Sequence, residues 1–364
     1  MSGVSTAISC AALLASSWAG PAAAAPHVSG AGRDVRKIEI ADGIFQFMTP
    51  RDSYVRQLNS VVIVNERDVL VFDTNTRPST ARLILAEIRR ITNKPVRYVV
   101  NSHWHPDHWS GNEVYAQAFP DLEIIATEKT RQLMQNVAPA WPAKFRAQLE
   151  NERAGWEREI QTGRREDGSV LTPELRRDDE EDLRDYESLV DEAVSAHRTY
   201  PTLTYADSLT LDHGGRTFRF LSMTGDAEGT TVLYLPKERV LLTGDAVSYP
   251  IPYVTPPPSR HAASLRALAR LDVDVIVPGH GPAFHDKRFL ELEIRLLESV
   301  MAGVHEALQK GLTTLDQVQN VVTVDDLREE FAGQDEDLQR RYRQRVRDLV
   351  RIAIREERDG QDYR

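Results

Sequence analysis

Three imidazoles and a carboxylate fall within six residues, His103-Trp104-His105-Pro106-Asp107-His108, and side chains of these types at this spacing form a metal-ligand set. They follow Val96-Arg97-Tyr98-Val99-Val100, a β-branched run that reads as a buried strand, so the donors emerge where that strand ends. In extended backbone, residues two apart share a face, and His103 and His105 can therefore grip one ion. Pro106 ends the extension because it has no N–H for a ladder and fixes its own φ. Asp107 and His108 then turn off toward a second ion or the far side of the first. A loop of solvated histidines is the plain alternative. It fits poorly, since the whole chain of 364 residues holds only 10 histidines.

A closed structural zinc site usually relies on cysteine, and the one cysteine, Cys10, lies far from this segment. Nitrogen and oxygen donors alone mark an open, catalytic type of site. Two later runs each deliver one more donor at a strand end: Val240-Leu241-Leu242-Thr243-Gly244-Asp245, and Val275-Ile276-Val277-Pro278-Gly279-His280-Gly281. Glycine beside each donor lets backbone approach closely.

In order and rough spacing these motifs resemble the metallo-β-lactamase superfamily of metallohydrolases. Its pattern is His-x-His-x-Asp-His, then a third His, a Gly-Asp and a Gly-His, each at a strand end. The resemblance runs from the region of Ile38 to that of His285, and Asp73, ending a hairpin of Ser60–Val64 and Val69–Asn75, resembles the family's structural acid beneath the site. One position departs. Gly225-Asp226-Ala227-Glu228-Gly229-Thr230 puts Asp226 where the third His belongs, so the chain resembles a branch with Asp at that turn.

The resemblance implies an α/β fold, a four-layer αββα sandwich with a helical insertion and a helical C-terminal extension. It implies metal ligands His103, His105, Asp107, His108, Asp226, Asp245 and His280, holding zinc, as two ions. Asp226 can ligate the first ion directly, act through water, or leave that site weak and the Asp107, His108, His280 site dominant. Two His and one carboxylate also suit iron. Three readings therefore stand: a dinuclear zinc hydrolase, a mononuclear iron or zinc enzyme of redox or sulfur chemistry, and a metal-binding protein without turnover. In the first, zinc lowers the pKa of its water from about 15.7 to about 7. The resulting metal-bound hydroxide attacks a lactam, lactone, thioester or phosphoester, Asp245 bridges the ions, and Asp107 accepts the proton and passes it on as the catalytic acid–base.

The length allows one large domain with additions, or two domains. A formal charge of -10 argues against a nucleic-acid partner and leaves a small-molecule substrate. Residues 1–25 read as a secretory signal peptide, apolar and then Ala-rich but without a basic residue at its start, too short to span a membrane with flanks. A periplasmic or secreted protein is expected. Residues 31–288 form the metallo-β-lactamase-like domain, with the helical insertion over about 129–200, and 289–364 the C-terminal extension.

Within these bounds Ser79 is expected to cap a helix running to Ile91, and Thr172-Pro173 to start the second helix of the insertion, after a loop at 163–169. Thr314 and Gln317 form a capping-box pattern. The stripes Leu290, Ile294, Leu297, Met301, Val304 and Leu338, Tyr342, Val346, Leu349 are apolar faces that pack on the domain or on a second copy of the chain. Trp104 and Trp109 flank the ligands, where their indoles either stack on substrate in the pocket or pack beneath the loop, and Tyr253, in the stiff Tyr249–Pro258 run, is expected to wall the substrate pocket.

Overall fold

The computed structural model describes residues 27–30, 33–49, 57–164 and 170–359; the leader expected over 1–25 lies outside them, as do residues 165–169 of the expected loop. One sheet takes its strands in chain order: β1 (His27–Gly30), β2 (Arg33–Ala41), β3 (Ile44–Met48), β4 (Asn59–Val64), β5 (Val69–Phe72), β6 (Val96–Val100), β7 (Glu123–Thr127) and β8 (Leu203–Tyr205). The other holds β9 (Ser208–His213), β10 (Arg216–Thr224), β11 (Glu228–Leu235), β12 (Val240–Gly244) and β13 (Val275–Pro278), in the order β13-β12-β11-β10-β9. β5, β6 and β7 run parallel, as do β12 and β13.

Side-chain alternation along the strands sorts the apolar residues into three layers. Leu70 and Phe72 of β5 meet Val240 and Leu242 of β12 between the sheets. Val69 and Val71 point outward onto Ile84 and Ile88 of α1 (Pro78–Ile91), which covers that face with α2 (Asn112–Ala118). Leu241 and Ile276 point to the opposite outer face, covered by α6 (Pro258–Ala269) and α7 (Arg288–Gln309). Between β7 and β8 the chain forms α3 (Glu128–Asn136), α4 (Trp141–Thr162) and α5 (Pro173–Ser195); after α7 come α8 (Leu315–Gln319), α9 (Arg328–Ala332) and α10 (Glu336–Asp359). The architecture is the αββα sandwich with a C-terminal helical extension. The stripes of α7 and α10 turn toward the chain's own second sheet, where Leu297, Val304, Tyr342 and Val346 share one core with Leu241.

Two helix starts differ in kind. Ser79 does not cap α1: the helix opens at Pro78, with Arg77 at the cap position, and the Ser79 N–H donates to Glu192 Oε2 of α5 at 3.0 Å. Proline is pre-set for the first helical position, and the cap comes from a distant carboxylate rather than a local hydroxyl. Thr314 and Gln317 do form the reciprocal capping box.

Because strands of the second sheet and C-terminal helices share one buried layer, Leu297→Ala should lower stability by about 2–5 kcal/mol. Urea unfolding followed by far-UV circular dichroism and by tryptophan fluorescence checks this. The two probes should move together, and separate transitions for sandwich and extension would contradict a shared core.

Candidate metal centre

The donors meet at one edge of the sandwich because the strands that carry them end there. β5 ends before Asp73, β6 before Asn101-Ser102-His103, β12 before Asp245 and β13 before Gly279-His280, while Asp226 sits in the β10–β11 turn. His103 Nε2 lies 2.9 Å from His105 Nδ1, and Asp226 faces both, at 3.5 Å and 3.1 Å. Alongside, His108 Nε2 and His280 Nε2 lie 3.3 Å and 3.4 Å from Asp107 Oδ2, and 3.7 Å and 3.3 Å from Asp245 Oδ2. Bonds of about 2.0–2.1 Å around a tetrahedral ion put donors roughly 3.3 Å apart, so these spacings suit a metal. Asp245 also groups with His103 and His108, all three donor atoms within 4.8 Å of one another. All seven residues expected as ligands are therefore brought together.

Burial opposes charge throughout this cluster, and neighbours decide the outcome. Burial raises Asp107 and Asp245, yet the His108 and His280 imidazoliums hold both well below the usual carboxylate range. Burial lowers His280, but Asp245 and Asp107 reverse this and push it up to about 9. His103, buried beside His108 and His105, is held well below the ordinary imidazole value. Burial carries Asp226 up to about 6 against the pull of His105. His108 Nε2, Asp226 Oδ1 and Asp245 Oδ1 are buried without a hydrogen-bond partner of proper geometry among the described residues. Three close carboxylates and such orphaned donor atoms fit a divalent cation.

Residues behind the cluster fix its orientation. Asp73 accepts from the Ser102 N–H, the Ser102 hydroxyl and His108 Nδ1, each at 2.7 Å, which aims His108 Nε2 at the centre. The Ser102 hydroxyl also lies 3.0 Å from His103 Nδ1. The His280 turn is held from the other sheet: Asn59 Nδ2 donates to the Pro278 and Gly281 carbonyls at 2.8 Å and 2.7 Å, and Gln46 Nε2 to Gly281 O at 3.0 Å. Gly279 is required where it stands, since a Cβ there would lie 1.9 Å from Asp245 Oδ1. Asn59 and Gln46 were not singled out in the sequence. The signal for Gln46 was a polar residue on the inward face of Ile44-Phe45-Gln46-Phe47.

A cavity of about 780 Å³ opens over the cluster, with His105, Asp107, Asp226, Asp245 and His280 on its floor. Trp141 and Phe145 of α4 with Tyr186 and Leu189 of α5 form an apolar wall. Buried Arg77 ties α5 down through Asp185 at 2.7 Å and Glu192 at 3.7 Å. Opposite stand Ile251 and Tyr253 and, from α10, Leu338, Arg341 and Arg345; the Arg345 guanidinium lies 4.2 Å from the centre of the Tyr253 ring. Tyr253 thus faces the cavity. Trp104 and Trp109 do not line it: Trp109 is buried with Met134 and Ala138, its Nε1 donating to Trp104 O at 2.8 Å, and the Trp104 ring packs on His105. Alternate residues of the loop face its apolar underside, and the indole at the cavity is Trp141 from the insertion.

A two-sheet sandwich with His and Asp donors at one edge defines a class of metal-site proteins. The chain belongs to the metallo-β-lactamase superfamily, whose profile matches residues 53–280. It is 28% identical over 270 residues to a linear primary-alkylsulfatase of Pseudomonas sp. (strain ATCC 19151), an alignment covering 70% of this chain and 48% of that protein. The chain thus spans about half the length of that curated relative. Among solved structures, the stereoselective inverting sec-alkylsulfatase Pisa1 from Pseudomonas sp. is similar with a TM-score of 0.59 and 17% identity, over 88% of this chain and 50% of that one. A metallo-β-lactamase from Pontibacter korlensis is similar with a TM-score of 0.51 and 16% identity, over 72% of this chain and 99% of that one.

Replacing Asp73 by Asn keeps the shape but turns a donor toward donors. Asp73→Asn should weaken divalent-metal binding about 10–100-fold and cost about 1–3 kcal/mol of stability; competition titration against a chelating dye and thermal unfolding report the two. Metal removal should also change the response to pH. His280 rises from 6.5 to about 9 in the metal-free fold, so its contribution is fully present below pH 6.5 and is lost as pH climbs through about 9. In excess chelator the melting temperature should fall across that window, and His280→Gln should flatten the decline. A metal-free melting temperature that rises from pH 6.5 to 9 would contradict the ion pairing at this edge.

Proposed function

We propose that this chain is a metal-dependent hydrolase of anionic esters carried on an apolar chain, with alkyl sulfates as the substrate class. The observation that carries the reading is one cavity lined by a metal-ligand floor, by two arginines and by a group of apolar side chains. The name of the alkylsulfatase relative supports the sulfate head group. Sulfate esters join the lactams, lactones, thioesters and phosphoesters expected from sequence, and the arginines favour a charged head over the neutral members of that set.

His103, His105 and Asp226 would hold one ion, Asp107, His108 and His280 a second, with Asp245 placed to reach both, and zinc is the metal proposed. Bound there, zinc supplies Lewis acidity and a water acidic enough to ionise near neutral pH. Asp107, facing the cavity with 29% of its side chain exposed, takes the proton of the attacking water and passes it to the leaving oxygen. Arg341 and Arg345 bind the sulfate oxygens, with Arg345 held against the Tyr253 ring. Trp141, Phe145, Tyr186 and Leu189 receive the alkyl chain and keep water from it. Domain limits of 31–288, with the insertion at 129–200 and the extension at 289–364, assign the floor, Ile251 and Tyr253 to the sandwich, the apolar wall to the insertion and the two arginines to the extension. The His103, His105, Asp226 group gives the mononuclear iron reading a specific basis, because it is a set of two His and one carboxylate.

Elemental analysis joined to a substrate panel tests the proposal. Two zinc per chain, with chelator-sensitive hydrolysis of primary alkyl sulfates, is the expected result. One iron, or turnover of a neutral lactam with alkyl sulfates left intact, would overturn it. Arg345→Ala should raise KM for the sulfate ester about 10–100-fold, the loss of a charge-assisted contact, and leave zinc content unchanged.

A further inference from the structure

Two ionisable side chains lie fully buried on the far side of Asp245 from the cavity, His261 on α6 and Glu293 on α7. Their surroundings are apolar: Ala262, Leu265, Leu290, Leu292, Leu296 and Leu297 belong to the same layer. Placing such groups in an apolar layer costs several kcal/mol each unless they are paired. Both stay uncharged there, burial pulling His261 down to about 4 and pushing Glu293 well above the usual carboxylate range.

What they touch is informative. His261 Nε2 donates to the Ala246 carbonyl at 2.9 Å, while both Glu293 oxygens are buried without a hydrogen-bond partner of proper geometry among the described residues. The two side chains approach each other to 3.8 Å. Ala246 and Ser248 immediately follow Asp245, and no strand ladder holds them: β12 ends at Gly244. The same stretch meets the other acid, since Asp226 N–H donates to Asp245 O at 3.0 Å. Gly225 packs against it so closely that a Cβ there would lie 2.6 Å from Ala246 Cα. A shift of residues 246–248 would therefore move Asp245 and, through it, Asp226.

We infer that His261 is a positioning residue for the metal centre: from the helix beneath, it holds the Ala246 carbonyl, and with it the backbone after Asp245, and so keeps the Asp245 and Asp226 carboxylates at ligand spacing. The inference rests on the reading of Asp245 and Asp226 as ligands. The His261 side chain does not line the cavity, and its contribution is to pre-organise the donors. A neutral amide can reproduce its donation to Ala246, whereas an apolar side chain of similar size cannot.

Zinc alone is the probe, titrated into the metal-free protein against a competing chelating dye, with the metal-free melting temperature measured in parallel. His261→Phe should bind zinc about 10–100-fold more weakly than the natural chain, and His261→Gln should stay within about 3-fold. The metal-free melting temperatures establish that each variant is folded before zinc is added. Natural-strength zinc binding by His261→Phe, or an equal loss in His261→Gln, overturns the positioning role alone. A natural chain that binds no zinc overturns the ligand reading and this one together. If His261→Phe does not fold, His261→Leu against His261→Gln gives the same comparison, with the Gln variant expected to bind zinc more tightly, and equal affinity in that pair overturns the inference.

Discussion

The Asp73 carboxylate is buried at the end of a strand between two sheets, and the metal-centre edge depends on its being fully hydrogen-bonded there. Burial raises its proton affinity, and His108 together with the two Ser102 donors pulls the other way. A carboxyl group in such a place is tolerated only with partners, and these partners are pieces of the site. The backbone N–H of Ser102 sets where β6 lets go of the ladder, and the Nδ1 bond sets which nitrogen of His108 faces the cavity. The residue adopts a left-handed φ of 58°, an unfavourable conformation for a residue with a side chain, held by its three donors. Strand end, loop path and imidazole tautomer thus have one cause.

A comparable tie works between the sheets. His280 belongs to the second sheet, yet its turn is held by Asn59 and Gln46 of the first, in bonds that span more than 200 residues of sequence. The inner apolar layer brings the sheets together without direction, because burial of Leu70, Phe72, Val240 and Leu242 rewards area and not angle. Direction comes from the few buried amides, which fix how far one sheet's edge lies from the other. Donor spacings near 3.3 Å require that kind of control.

These particulars explain what could be read from the chain and what could not. The donors were legible because imidazole and carboxylate groups at the ends of β-branched runs have few other uses, and the layer order was implied by the family resemblance. The Thr314 capping box was legible because both partners are three residues apart. Ser79 misled for the converse reason: its helix is capped by Glu192, more than a hundred residues away. Trp109 and Trp141 carry the same side chain, and only the docking of the insertion decides which indole reaches the cavity. Arg341 and Arg345 are not among the apolar residues of the last helix's stripe, and periodicity says that a face is polar and not what it looks at.

Electrostatics makes the origin of the walls significant. The chain is acidic overall, and the cavity floor itself presents Asp107, Asp226 and Asp245. An anionic ester would be repelled by that floor in the metal-free protein. Two divalent ions on the same donors would reverse its sign, and the arginines of α10 add positive charge to the cavity lining. The net charge therefore does not describe what the cavity presents; local charge does, and its arginines come from an element outside the sandwich. A fold that fixes its donors at strand ends can leave them unchanged while insertions and extensions rebuild the walls, so the bond that is cut and the molecule that carries it are set by different parts of the chain.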